Sequence, residues 1–145
     1  MSKRKELEGV YEDALTFIRA SDSHYRLLTA GERFARFEIL GVANAEATIE
    51  LRRDSVEIRT ESLYRLPPKH IAAETIRVCL GSRRDLFTVV RAKDGLVFSL
   101  KIEVGDRRLL ANGHETNLQV GDLIEDVKTA IDLAHAYHHH FTAGI

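Results

Sequence analysis

The chain has a single cysteine, Cys79, in 145 residues, so it can form no intramolecular disulfide, and a zinc site of the multi-cysteine kind is excluded. That count is compatible with a reducing compartment. No apolar run approaches the roughly 20 residues that a membrane-spanning helix needs. The opening MSKRKELEGVYEDAL carries basic residues without the apolar stretch that follows them in a secretory signal. The expectation is a soluble cytoplasmic protein with no membrane partner. An excess of one charge is missing too. Twenty-one Lys and Arg face 22 Asp and Glu, and the arginine pairs at 52–53, 83–84 and 107–108 each lie near an acid instead of forming one basic stripe. No nucleic-acid footprint follows. The phosphate loop and the GxGxxG, GxSxG and HExxH patterns are absent, as are internal repeats, low-complexity tracts and linkers.

What is present is a regular alternation of periods. Hydrophobic residues make up 44% of the chain, enough for one domain with one sizeable core. Leu7, Val10, Tyr11, Ala14, Phe17 and Ile18 recur at helical spacing opposite Glu6, Glu8, Glu12 and Asp13, which predicts an amphipathic helix over 4–20 that RASDSH ends. From Arg33 the period becomes two. Ala35, Phe37 and Ile39 form one strand, Ala47, Ile49 and Leu51 a second, and Val56 and Ile58 a third after the turn RRDS. Their alternation implies an antiparallel sheet with one wet face. The prolines of LPPKHIAAETIRVCLG and its Gly81 frame a second helix at about 68–80. LFTVVRA and LVFSLKIEV then flank Asp94-Gly95, a strong hairpin signal. ANGHETN is turn chemistry, and a last helix runs to about residue 140. The expected fold is a single α+β domain over 1–145, in the order α-βββ-α-ββ-α, with helices packed on an antiparallel sheet.

Four of the seven histidines crowd into DLAHAYHHHF near the end of the last helix. Val120, Ile124, Val127, Ile131, Ala134, His138 and Phe141 form one seam, which makes His138 a core-edge residue in need of a hydrogen-bond partner. A second stripe carries Lys128, Asp132, His135 and His139. On it Asp132, His135 and His139 could meet one metal ion, but Lys128 on the same stripe argues against that. His138, His139 and His140 step around the helix by about 100° each and cannot converge on one ion. With Asp122, Glu125 and Asp126 in the first turns and histidines in the last, the charges complement the helix dipole, so the cluster reads as a helix end and no metal is expected.

Other chemistry is scattered. Cys79 sits beside Ile71, Ala72, Thr75 and Val78 on one face of the second helix, as a packed residue would rather than a nucleophile. His114 and Glu115 could suggest an acid–base pair, yet adjacent residues rarely face each other. No catalytic residue and no cofactor are expected. On the other side of the second helix, Ala73, Ile76 and Leu80 make a small apolar patch. Either SLYRLPP covers it or a second copy of the chain does.

The element order, the segment CLGSRRDLFTVVRAKDGLVFSLKIEV and the closing LIEDVKTAIDLAHAYHHHF together resemble the YbjN-like bacterial sensory transduction regulators, which share the fold of class I type III secretion chaperones. The resemblance implies a non-enzymatic protein-binding module, chaperone-like or regulatory, with a protein partner and no catalytic residue to carry over. It also implies pairing through the second helix, hence a homodimer with Ala73, Ile76 and Leu80 at the interface. The alternative from the residues alone is a small-molecule-binding or hydrolytic domain using the sheet face with His114 or His135.

Overall fold

The computed structural model describes residues 3–41, 45–61, 85–86, 88–92 and 95–143, with the backbone alone for 89–92, 95–96 and 134–143. Helix α1, Lys3–Ala20, buries Leu7, Val10, Tyr11, Ala14, Leu15 and Ile18. The predicted stripe is therefore turned slightly: Leu15 is inside, and Phe17 is only partly covered. A short turn in which the His24 and Tyr25 N–H groups both donate to the Ser21 carbonyl at 2.9 Å leads straight into the sheet.

The sheet is antiparallel throughout, and the α+β fold with a helix first and a helix last agrees with the sequence expectation. Among the described residues it has eight strands, where the sequence predicts five. They are β1 Tyr25–Ala30, β2 Phe34–Ile39, β3 Ala45–Leu51, β4 Val56–Thr60, β5 Thr88–Ala92, β6 Gly95–Val104, β7 Leu109–Ala111 and β8 His114–Thr116. The three additions are β1, β7 and β8. Strand β1 hides from a periodicity search because it carries one irregular step. Its register against β2 shifts between Leu27 and Thr29, so Leu28 is an extra residue that breaks the alternation. Strands β7 and β8 have three residues each, too few to display a period.

Strand β6 is the hinge of the topology. One of its edges pairs with β4 over Ser99–Ile102. Its other edge holds β5 and β7 end to end, with Thr88 opposite Ser99 and Ala111 opposite Ile102. The Thr60 hydroxyl extends the β4 edge by accepting the Phe98 N–H at 3.0 Å. At the β7–β8 hairpin, Asn112 and Gly113 both have positive φ, 51° and 81°, as a type I′ turn requires. Ala92 opposite Gly95 closes the predicted β5–β6 hairpin. The second helix expected at about 68–80 lies outside the described residues.

The core forms between the inner sheet face and the two helices. Large and small residues alternate across it: Phe37 lies opposite Ala47, and Ala35 opposite Ile49. Helix α2, Val120–Ala143, supplies Val120, Leu123, Ile124, Val127, Ala130 and Ile131. It begins at a cap in which the Asp122 carboxylate accepts the Gln119 N–H at 3.1 Å, satisfying one free donor of the first turn. The helices approach closely where Gly121 faces Phe17: a Cβ on Gly121 would sit 2.6 Å from Phe17 Cδ2. The outer sheet face carries cross-strand ion pairs, Arg26 with Glu38 and Arg36 with Glu46, and is the wet face anticipated from the alternation. Among the described residues no helix is long and apolar enough to cross a membrane.

Candidate functional site

Helix α2 places the polar stripe of the sequence along one line of its surface, and its described part is already engaged. Lys128 Nζ donates to Asp132 Oδ2 at 2.9 Å, with the two side chains 18% and 33% exposed. The lysine end is held against the turn after β2, where Gly41 adopts φ +138° and a Cβ would lie 3.0 Å from Lys128 Nζ. A side chain at position 41 would both strain the backbone and crowd the ammonium. Asp132 is thus an ion-pair partner of Lys128. The side chains of His135, His138, His139 and His140 lie outside the described residues. Among the described residues no three His, Cys, Asp or Glu side chains are grouped to hold a metal ion.

Tyr25, a residue the sequence pattern did not single out, lies close to this stripe. It is 2% exposed and packs between two rings, tilted against Phe17 at 5.5 Å and edge-on to Phe37 at 6.3 Å between ring centroids. Its hydroxyl has no hydrogen-bond partner among the described residues. Burial, reinforced by the negative charges of Glu125 and Asp132, pushes the phenol above its ordinary value of 10.0. It is therefore held neutral and is no nucleophile or base near neutral pH. Because an orphaned buried hydroxyl retains its desolvation cost, Tyr25→Phe is expected to stabilise the fold by about 1 kcal/mol. The pH dependence has a definite sign. The folded state binds the phenolic proton more tightly than the unfolded chain, so protonation favours the fold fully below pH 10, and stability falls as pH rises beyond it. Urea denaturation of both proteins from pH 8 to 11 checks this: the wild type should lose stability more steeply on the alkaline side than Tyr25→Phe.

Of the other candidates, His114 and Glu115 lie among the described residues. His114 pairs with Ala111 in the β7–β8 hairpin, and both it and Glu115 are exposed as neighbours on a strand, where successive side chains point to opposite faces. The structure thus keeps the two apart. Cys79 and the proposed interface residues Ala73, Ile76 and Leu80 lie outside the described residues.

A different surface stands out from the burial pattern. Leu28, 38% exposed, and Phe34, 45% exposed, are the exposed large apolar side chains among the described residues, and both belong to the β1–β2 hairpin. The hairpin turns through a bond from the Gly31 N–H to the Phe34 carbonyl at 2.8 Å, and Tyr11 on α1 pins it by donating to the Gly31 carbonyl at 2.7 Å. Strand β1 is the end strand of the described sheet, pairing only with β2 among the described residues. The Leu28 bulge and the charged Arg26 are features that limit indiscriminate edge pairing. The signal was present in YRLLTAGERF, but reading it required knowing that Tyr25–Ala30 is a strand. Comparison of the chain with protein-family models, with curated proteins and with solved structures finds no match.

Proposed function

We propose that the chain is a non-enzymatic protein-binding module, chaperone-like or regulatory in the manner of the YbjN-like proteins it resembles, and that it works as a homodimer. The observation that carries this reading is the β1–β2 hairpin at the end of the described sheet, which holds Leu28 and Phe34, the exposed large apolar side chains among the described residues. Apolar side chains at a sheet edge are a common means of holding a partner segment. The separation of His114 from Glu115 and the capture of Asp132 by Lys128 add support.

Two variants test the proposal. Leu28→Glu with Phe34→Glu should fold normally, because both side chains already face water, and should lose a stoichiometric partner retained by wild type in native pull-downs. An Arg59→Glu control on the outer sheet face should keep that partner. Ile76→Asp with Leu80→Asp should give a folded monomer by light scattering, since both charges would be desolvated only on association. A wild type that is monomeric at high micromolar concentration removes the dimer, and partner binding unchanged by the hairpin variant removes the hairpin.

The alternative of a small-molecule domain working on the sheet face finds that face occupied: α1 and α2 fill the inner side and ion pairs line the outer. One feature still favours a small ligand, a cleft of about 360 Å³ where Val10, Val104, Leu109 and Leu118 lie beside Arg107 and Arg108. Saturable thermal stabilisation by an acyl carboxylate would move the assignment to that cleft.

A further inference from the structure

The end of the sheet beneath the first turns of α1 gathers four arginines from three separate parts of the chain. Arg4 comes from α1, Arg33 from the β1–β2 turn, and Arg52 and Arg53 from the β3–β4 turn. Together they bound an open cleft of about 720 Å³ whose remaining lining is Leu51 and a single carboxylate, Glu50. The backbone under these residues is fixed. The Leu51 N–H donates to the Arg33 carbonyl at 2.7 Å, the Arg52 N–H to the Ser55 carbonyl at 2.8 Å, and Arg4 Nη1 to the Arg52 carbonyl at 3.2 Å.

Three of the acids nearby, Glu8, Glu50 and Glu57, are already paired. Arg52 contacts both Glu50, at 3.4 Å, and Glu57, at 3.2 Å, while Arg4 contacts Glu8 at 3.5 Å. Arg33 and Arg53 are exposed and have no carboxylate partner among the described residues. Two fork-shaped donors in this arrangement match carboxylate geometry.

We infer that this arginine cleft binds an acidic segment of a partner protein, an assignment that rests on the protein-binding reading and gives the partner its chemistry. Two features favour a peptide over a small anion: the cleft is wide and open, and Leu51 is its one apolar wall, whereas small-ligand pockets are mostly apolar and enclosing. A long polyanion is disfavoured by what adjoins. The neighbouring cleft, which shares Arg4, Arg33 and Leu51, is lined by Glu8, Glu12 and Glu32. A short acidic stretch satisfies the arginines and then must end or turn basic, so the two clefts also give the bound segment a direction.

Fluorescence anisotropy with a labelled hexaglutamate peptide at low salt tests the inference on the full chain. Saturable binding that weakens as salt rises is expected, and Arg33→Glu with Arg53→Glu should reduce it at least about tenfold while leaving the thermal melt unchanged. Arg107→Glu with Arg108→Glu, which alters net charge equally at the other cleft, should retain most of the binding. No saturable binding, equal loss in both variants, displacement by inorganic phosphate at comparable concentration, or equal affinity for a single-stranded oligonucleotide of the same charge would each overturn it. Failure here with the dimer and hairpin results intact removes the cleft assignment and leaves the protein-binding reading in place.

Discussion

Ile131→Asp should leave the chain unfolded at room temperature, while Asp132→Ala, at the next residue, should melt within a few degrees of wild type. Ile131 is 0% exposed and stands on the α2 seam between Val127 and the rest of the core. A carboxylate there would be buried without a partner, at a cost of several kcal/mol, added to the loss of an isoleucine worth about 2–5 kcal/mol. The sum is comparable with the whole stability of a domain, about 5–15 kcal/mol. Asp132 is different because it is a third exposed and is already paired with Lys128, four residues before it on the same helix. Such pairs contribute about 0.5 kcal/mol, and a lysine with its end near the surface can find water once the aspartate is gone. Far-UV circular dichroism and thermal melts of the two variants decide the matter. A folded Ile131→Asp protein would mean that α2 does not pack on this face.

The second large effect is a reversal of sign for one substitution at two helical glycines. Gly9→Ala in α1 is expected to stabilise the protein by about 0.5–1 kcal/mol, since a Cβ there meets nothing within 4 Å and alanine is the better helix former. Gly121→Ala in the first turn of α2 is expected to destabilise it by about 1–3 kcal/mol. The new Cβ would lie 2.6 Å from Cδ2 and 3.0 Å from Cγ of Phe17, so the ring must move bodily rather than swing its far end. That motion disturbs the packing on Tyr25 and separates α1 from α2. Because about 2–4 °C accompanies each kcal/mol in a chain of this size, the two melting temperatures should fall on opposite sides of wild type. Adding Phe17→Leu to Gly121→Ala should recover part of the loss, which a purely local helix effect would not show.

The surface chemistry divides in the same way between local pattern and long-range placement. The exposed faces of α1 and of β2, β3 and β4 follow from strict periods of 3.6 and 2, because a residue's neighbours at those spacings determine which side meets the core. The Asn112-Gly113 turn is equally local, since its left-handed backbone favours those two residue types wherever they occur. Strand β1 follows neither rule. The extra residue Leu28 breaks its alternation, and only hydrogen bonding to β2 makes Tyr25–Ala30 a strand and exposes Leu28 and Phe34 together on one hairpin.

By itself the sequence determined the α+β class, the amphipathic first and last helices, the inner faces of β2, β3 and β4, the β5–β6 hairpin and the wet outer face, all of them consequences of local period and turn chemistry. It also placed Lys128 and Asp132 on one stripe of the last helix, where the structure pairs them. Only the tertiary structure decided the eight-stranded order with β5 and β7 sharing one edge of β6, the burial of Tyr25 beside Phe17 and Phe37, the need for glycine at 41 and 121, and the meeting of Arg4, Arg33, Arg52 and Arg53 around one cleft. Each of these joins residues far apart in the chain, and the geometry that joins them is set by how the sheet closes against the two helices, which no short window of sequence contains.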